Sequence, residues 1–213
     1  IGLSATNGMD VTEFEGVDKV PRPGPPLICI PTTAGTAADV SQFAVINNEK
    51  EAVKFVIVSK KAMPDIALID PDLTLSMDAE LSAATGMDVL SHAMEAYVST
   101  AASPVTDLHA LESIQIVAEY LPVSVHNPFQ KSARNAMMHA SLLAGFAFSN
   151  AGLGAVHSLS HALGALLDLP HGLCNALLLP QVAAYNQSAC PEKYERIRLA
   201  LLKGFSRRGV ALT

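Results

Sequence analysis

Asp88 and His92 stand four residues apart in the run Thr85-Gly86-Met87-Asp88-Val89-Leu90-Ser91-His92. On a helix both side chains then project from one face, one turn apart. A carboxylate oxygen and an imidazole nitrogen so placed can hold one ion, although the same spacing also serves an ion pair or a satisfied core histidine. A second cluster lies downstream: His157 and His161 are again four apart, and His171 follows between Pro170 and Gly172, where a turn can fold it back toward them. Three histidines within fifteen residues, in a chain holding seven, exceed what packing needs. The alternative is that glycine-rich helix ends tolerate these rings in the core. A carboxylate with three imidazoles is an N/O set without thiolate, suited to Fe(II), Zn(II), Mn(II) or Co(II).

Other residues carry weaker signals. Thr32, Thr33 and Thr36 lie on a loop of small residues after a strand-like run, where backbone can approach a ligand closely and hydroxyls can donate to phosphate or amide oxygens; alone, such a loop is also an ordinary turn. Lys54, between Val53 and Phe55, reads by itself as an edge-strand or solvent-facing charge. Glu95, three residues after His92, reads as a helix-surface carboxylate, with support of a metal ligand as the alternative. Cys174 and Cys190 carry no functional reading.

The elements that must position these groups divide the chain in two. Residues 1–72 are strand-like and broken by turns. Leu27 to Ile30 is expected to be a buried strand opening into the threonine loop, Ser41–Ile46 and Val53–Val58 to form a hairpin around Asn47-Asn48-Glu49-Lys50, and Ile66–Ile69 a further strand. From about Ser76 the composition turns to Ala, Leu, Met and Ser, predicting helices near 78–84, 86–101, 105–121, 131–148, 152–167 and 171–185. The fold expected is an α/β part over 1–72 followed by an all-α part over 73–213, the boundary falling near Asp70 to Ser76.

Composition narrows the function classes. The chain has 213 residues, half of them apolar, enough for a sizeable core. A net charge of -6 with 14 Lys plus Arg gives no basic stripe for phosphates, so nucleic acid is not an expected partner. Three scattered cysteines, Cys29, Cys174 and Cys190, fit a reducing compartment and hence a cytoplasmic protein. Apolar runs such as 142–148 fall far below the roughly 20 residues of a membrane span, so no membrane is expected either. Ile1-Gly2-Leu3-Ser4 lacks the features of a signal peptide and reads as a chain entered in mid-domain.

Four segments together resemble the signature motifs of iron-containing (group III) alcohol dehydrogenases: Pro31 to Thr36, Ala84 to Ser99, Gly154 to His161, and Leu169 to Gly172. They occur in that family's order and spacing, and the match extends from the first residues to about Asn186. The resemblance implies a dehydroquinate synthase-like architecture, in which a dinucleotide-binding α/β domain, only partly present here, packs on a helical metal-binding domain with the active site between them. It puts Asp88, His92, His157 and His171 on the ligand positions of a catalytic Fe(II), with Zn(II) possible. His161 falls on a histidine near the nicotinamide, a candidate for proton transfer. Thr32, Thr33 and Thr36 fall on a loop that contacts NAD or NADP, and Lys54 on a lysine near the cofactor ribose. Where the commoner pattern after that loop is Gly-Ser-Glu, this chain has Ala37-Ala38-Asp39. By the same comparison the glycine-rich diphosphate loop would precede Ile1, and Leu202 to Thr213 finds no match.

The implied activity is NAD(P)-linked interconversion of a primary alcohol and its aldehyde, the metal acting as a Lewis acid on the substrate oxygen and the cofactor carrying the hydride. A homodimer is expected from the family. Rival readings are a metal-dependent hydrolase, whose ligands would activate water without any nucleotide, and a truncated, non-catalytic metal-binding fragment. Within the superfamily, glycerol dehydrogenase and dehydroquinate synthase are the neighbouring alternatives.

Overall fold

The computed structural model describes residues 1–48 and 53–209. A short helix α1 (Gly2–Asn7) leads into five strands: β1 (Gly16–Val17), β2 (Ile28–Cys29), β3 (Phe43–Asn48), β4 (Val53–Val58) and β5 (Ile66–Ala67). Six long helices follow: α2 (Ala79–Val98), α3 (Pro104–His126), α4 (Lys131–Ala151), α5 (Ala155–Leu167), α6 (His171–Gln187) and α7 (Pro191–Arg207). An α/β part followed by an all-helical part is thus the observed architecture.

In the first sheet β4 is central, parallel to β1 and antiparallel to β3, with Val45 opposite Val56 and Asn47 opposite Lys54. Successive strand residues face opposite sides. Phe55 and Ile57 therefore enter a small core with Phe14 and Val20, while Lys54 and Val56 point the other way, toward the helices. Lys54 is consequently on a central strand, not the edge position that its local sequence suggested. The residues Glu49 and Lys50 of the expected hairpin loop lie outside the described residues. The run at Leu27 to Ile30 differs from expectation: only Ile28–Cys29 pair, in parallel with Ile66–Ala67, and Ile28 and Ile30 are 60% and 50% exposed. The sheet has only these two short strands, so the continuous apolar run that suggested burial finds no covering layer among the described residues.

The helical part has one continuous core in which α3 packs against α2, α4 and α7. The two helices expected over 78–84 and 86–101 are a single helix, α2. Gly86 does not break it; a Cβ there would come within 2.2 Å of Leu121 Cδ1, so the glycine permits close approach of α3. Asp78 caps α2 by accepting from the Leu81 backbone N–H at 2.7 Å. The buried Arg134 of α4 fixes the same end, donating to Met77 O and Ser82 Oγ at 2.7 Å each. The helix expected from 152 begins instead at Ala155, because Gly152 ends α4 in a positive-φ conformation (φ 77°). Helix α7 was not anticipated; its exposed polar face breaks the apolar pattern, and it docks onto α3 through Gly204. Among the described residues no single helix is long and apolar enough to cross a membrane. The pair α4 and α5, which passes together by composition, is bent by 104° at its break.

Candidate metal centre

Three helices deliver the chemistry. Helix α2 is buried from Ser91 to Tyr97 and carries Asp88 and His92 one turn apart on its inner face. Helix α5 supplies His157, and α6 opens on His171, with Pro170 as its N-cap residue. Close approach of α6 to α2 depends on Gly172, whose hypothetical Cβ would lie 2.1 Å from Ala84 O. The Asp88 Oδ1 atom stands 3.4 Å from His157 Nε2, 3.6 Å from His171 Nε2 and 3.7 Å from His92 Nε2. A tetrahedral ion with bonds of about 2.0–2.1 Å sets its ligand atoms about 3.4 Å apart. The donor atoms of Asp88, His92 and His157 all lie within 4.8 Å of one another; His171, with its side chain 29% exposed, stands outside that tight group at the mouth of the site.

The surroundings orient the rings. A carboxylate can only accept, so the contact of His157 Nδ1 with Glu95 Oε2 at 2.5 Å places the proton on Nδ1 and turns Nε2 inward. Glu95 Oε1 also accepts from Val156 N at 2.7 Å, and a Cβ at Gly154 would crowd that same oxygen at 2.9 Å. Glu95 is therefore a buried anchor joining α2 to the start of α5, not the surface carboxylate its spacing suggested. Support of a metal ligand, the alternative that its spacing from His92 had offered, fits this position, since Asp88, His92 and Glu95 fall on one stripe. His171 Nδ1 lies 3.1 Å from Ser160 Oγ, whose own hydrogen can reach His171 O at 3.4 Å. His92 stacks on Phe148, with ring centroids 4.3 Å apart, and on His157 at 4.4 Å. Its Nδ1 is buried without a hydrogen-bond partner. Asn175, a residue that no sequence signal marked, is fully buried among the same atoms, its amide nitrogen 2.7 Å from Asp88 Oδ1.

Charge in this pocket is unevenly held. Burial alone would raise the pKa of Asp88, but His92, His157 and His171 around it bring it well below the usual carboxylate range. Burial lowers His92 to about 4, with the Asp88 charge only partly opposing it, and lowers His171 as well. Burial acts in the same direction on His157, yet hydrogen bonds to Asp88 and Glu95 outweigh it and raise this group to about 9. The two carboxylates thus favour the protonated form of His157 before an ion binds. A cage of inward-facing imidazole nitrogens around one buried carboxylate oxygen, with no thiolate, fits a divalent ion.

This cage forms the floor of a cleft of about 560 Å³ between the first sheet and the helices. Its sheet wall carries Phe43, Val45, Asn47, Lys54 and Val56; Thr36 and His161 also line it, whereas Thr32 and Thr33 do not. His161 is one turn beyond His157 and outside the cage, its ring 5.0 Å from that of His171. Burial first, and then the positive neighbours His171, His157 and Lys54, lower its pKa to about 4. The Lys54 Nζ passes 3.7 Å from where a Cβ on Gly164 would stand, so the lysine reaches α5 across the cleft.

The same architecture is found in known proteins. Residues 1–71 match the family model described as iron-containing alcohol dehydrogenase, and residues 82–209 match that of the C-terminal part of the Fe-containing alcohol dehydrogenase family. A 1,3-propanediol dehydrogenase of Citrobacter freundii is 48% identical over 197 residues, 92% of this chain and 51% of that protein. An NAD-dependent methanol dehydrogenase of Bacillus methanolicus is 44% identical over 197 residues, 92% of this chain and 52% of that protein. An alcohol dehydrogenase from Oenococcus oeni superposes with a TM-score of 0.91 at 42% identity, covering 99% of this chain and 54% of the other. The chain thus spans about half the length of the curated relatives it matches. With both family models matched in chain order, and the four signature segments converging on one cleft, the chain belongs to the iron-containing alcohol dehydrogenase family.

Proposed function

We propose that this chain provides the metal site, and one wall of the NAD(P) site, of an oxidoreductase that interconverts a primary alcohol and its aldehyde. The carrying observation is the convergence of three imidazole Nε2 atoms on Asp88 Oδ1 at 3.4–3.7 Å, at the floor of a cleft whose wall holds Thr36 and Lys54. In this reading Asp88, His92, His157 and His171 hold Fe(II) or Zn(II). The bound ion would supply Lewis acidity to the substrate oxygen and the nicotinamide would accept or return hydride. Asp88 contributes the negative charge of the cage, and Glu95 and Ser160 hold His157 and His171 with their lone pairs inward. Phe43, Val45, Val56, Phe148 and Leu153 give the cleft an apolar lining with room for a small apolar substrate chain. Relatives named for 1,3-propanediol and methanol support a short alcohol.

His161 is proposed to move the reaction's proton. It lines the cleft one turn beyond His157, and burial with its neighbours keeps its imidazole neutral near pH 7. Thr32 and Thr33 are assigned to the same cofactor only by resemblance, since they stand away from the cleft.

Metal content and NAD(P)-linked oxidation of short alcohols by the chain test this reading. Stoichiometric metal with nucleotide-linked turnover is the expected result. Metal-dependent hydrolysis without nucleotide would favour the hydrolase, and absence of metal binding would overturn the cage itself. A pH dependence follows from His157. Its Nε2 proton is held up to about pH 9 in the metal-stripped chain, and an ion must displace it while Nδ1–H stays on Glu95. Metal affinity should therefore rise about tenfold per pH unit between roughly 7 and 9 and level off above, with about one proton released per ion near pH 7. Calorimetry in two buffers of different ionisation enthalpy counts that proton; a release near zero would contradict the raised His157.

A further inference from the structure

Asn175 lies on α6 one turn beyond His171, so the two side chains share a face. It is fully buried, and its amide nitrogen is 2.7 Å from Asp88 Oδ1, 3.2 Å from His171 Nε2 and 3.3 Å from His157 Nε2. The amide orientation is fixed by chemistry: an amide oxygen turned 2.7 Å from the Asp88 carboxylate would place two acceptors against each other, whereas the NH2 group donates. The two amide hydrogens match two acceptors. One goes to Asp88, whose charge shortens the bond. The other goes to the lone pair of His171 Nε2, since His171 already uses its Nδ1–H on Ser160. The remaining neighbour, His157 Nε2, is the farthest of the three from the amide nitrogen at 3.3 Å and stands 3.4 Å from Asp88 Oδ1 itself. The Asn175 carbonyl oxygen, by contrast, is buried with no partner. Burying an amide with its oxygen unsatisfied costs stability, so packing alone gives no reason for asparagine here.

We propose that Asn175 is a positioning residue of the metal cage, its amide holding the Asp88 carboxylate in ligating orientation and, before an ion binds, the inward nitrogen of the His171 ring that Ser160 holds at Nδ1. This rests on the metal reading above and adds a residue to it. His171 is the most exposed of the four proposed ligands and stands outside the tight group of three, so its ring gains most from being held in place before the ion arrives. When an ion takes the His171 lone pair, the bond to Asp88 remains, because a carboxylate oxygen accepts more than one partner.

The test uses the full chain and its Asn175→Ala and Asn175→Leu variants; leucine keeps the side-chain volume but removes the donor. Circular dichroism and thermal melting of the metal-stripped proteins check folding. Competition against a chelator measures Zn(II) and Co(II) affinity, and visible spectra are recorded with Co(II) at saturation. Both variants are expected to stay folded and to lose roughly 10- to 100-fold in metal affinity, the range for residues that orient ligands. The Co(II) bands should also shift, because a released carboxylate can turn its second oxygen onto the ion. A space-filling asparagine predicts instead that Asn175→Leu keeps wild-type affinity and spectrum, and that result would overturn the proposal while leaving the metal reading intact. If the unaltered chain binds neither ion, both fall together.

Discussion

The Asp88→Asn chain is expected to lose stoichiometric metal, its affinity falling by more than the roughly 100-fold that marks the upper range for supporting residues. The substitution is nearly isosteric, so the loss isolates charge. Three imidazoles converge on this one oxygen, and among the described residues a divalent ion there has no other anion in direct reach; Glu95 is on the far side of His157. Asparagine can offer a carbonyl oxygen but not the charge that offsets desolvation of the ion. A second consequence appears without metal. Hydrogen bonding to Asp88 is the first of the effects that raise His157, so the asparagine variant should bring the His157 pKa down from about 9. A raised pKa stabilises the fold below the unfolded value of about 6.5 and loses that contribution as pH rises through about 9. The wild-type metal-stripped chain should therefore melt at lower temperature at pH 9.5 than at pH 6, and Asp88→Asn should flatten that difference. Metal analysis after dialysis and melting curves across this window check both parts. Retention of a full equivalent of metal by the variant would remove Asp88 from the ligand set.

Substitution at Gly172 is expected to have the largest effect of any single methyl group near the site. A Cβ there would meet Ala84 O at 2.1 Å and Ala84 C at 2.5 Å, and both atoms are backbone of α2. Backbone cannot turn to another rotamer, so α2 and α6 must separate. Gly172→Ala should cost about 1–3 kcal/mol by overpacking, which exceeds the roughly 0.5–1 kcal/mol that alanine gains over glycine within a helix. The neighbouring His171 moves with the shifted helix start, away from Asp88 on α2. Metal affinity should fall at least about tenfold, the shift that follows when ligand geometry is disturbed. Chemical denaturation and chelator competition measure the two effects independently. Gly86→Ala offers a contrast: its nearest neighbour is the tip of Leu121, which can rotate, and it lies on the α3 side of α2, so metal binding should hardly change.

Sequence spacing alone paired Asp88 with His92, and His157 with His161, because a helical turn translates directly into a shared face. Periodicity likewise marked most of the helices, whose apolar stripes are local features. Of the pairs, only Asp88 with His92 lies within the proposed cage; His161 shares the face of His157 but projects toward Lys54, and His171 enters the cage through the Pro170 turn. No periodicity could show this, since it depends on how α5 and α6 cross α2. The same holds for Glu95 and Asn175: each sits at helical spacing from a ligand, yet the spacing left Glu95 between a surface and a supporting role and gave Asn175 none until another helix buried them. Glycines gave a further ambiguity. Gly86 looks like a break in the sequence and is a contact in the fold, whereas Gly152 does end a helix, and the two differ in what lies opposite rather than in local preference. Lys54 reads as an edge charge until strand order makes β4 central and the pleat turns its side chain to the cleft. The sequence by itself thus determined the element types and which ligand-bearing residues share a turn, since both follow from local backbone geometry. Only the tertiary structure decided which faces meet, and so which carboxylate anchors His157 and which amide reaches Asp88, because those depend on packing between helices distant in the chain.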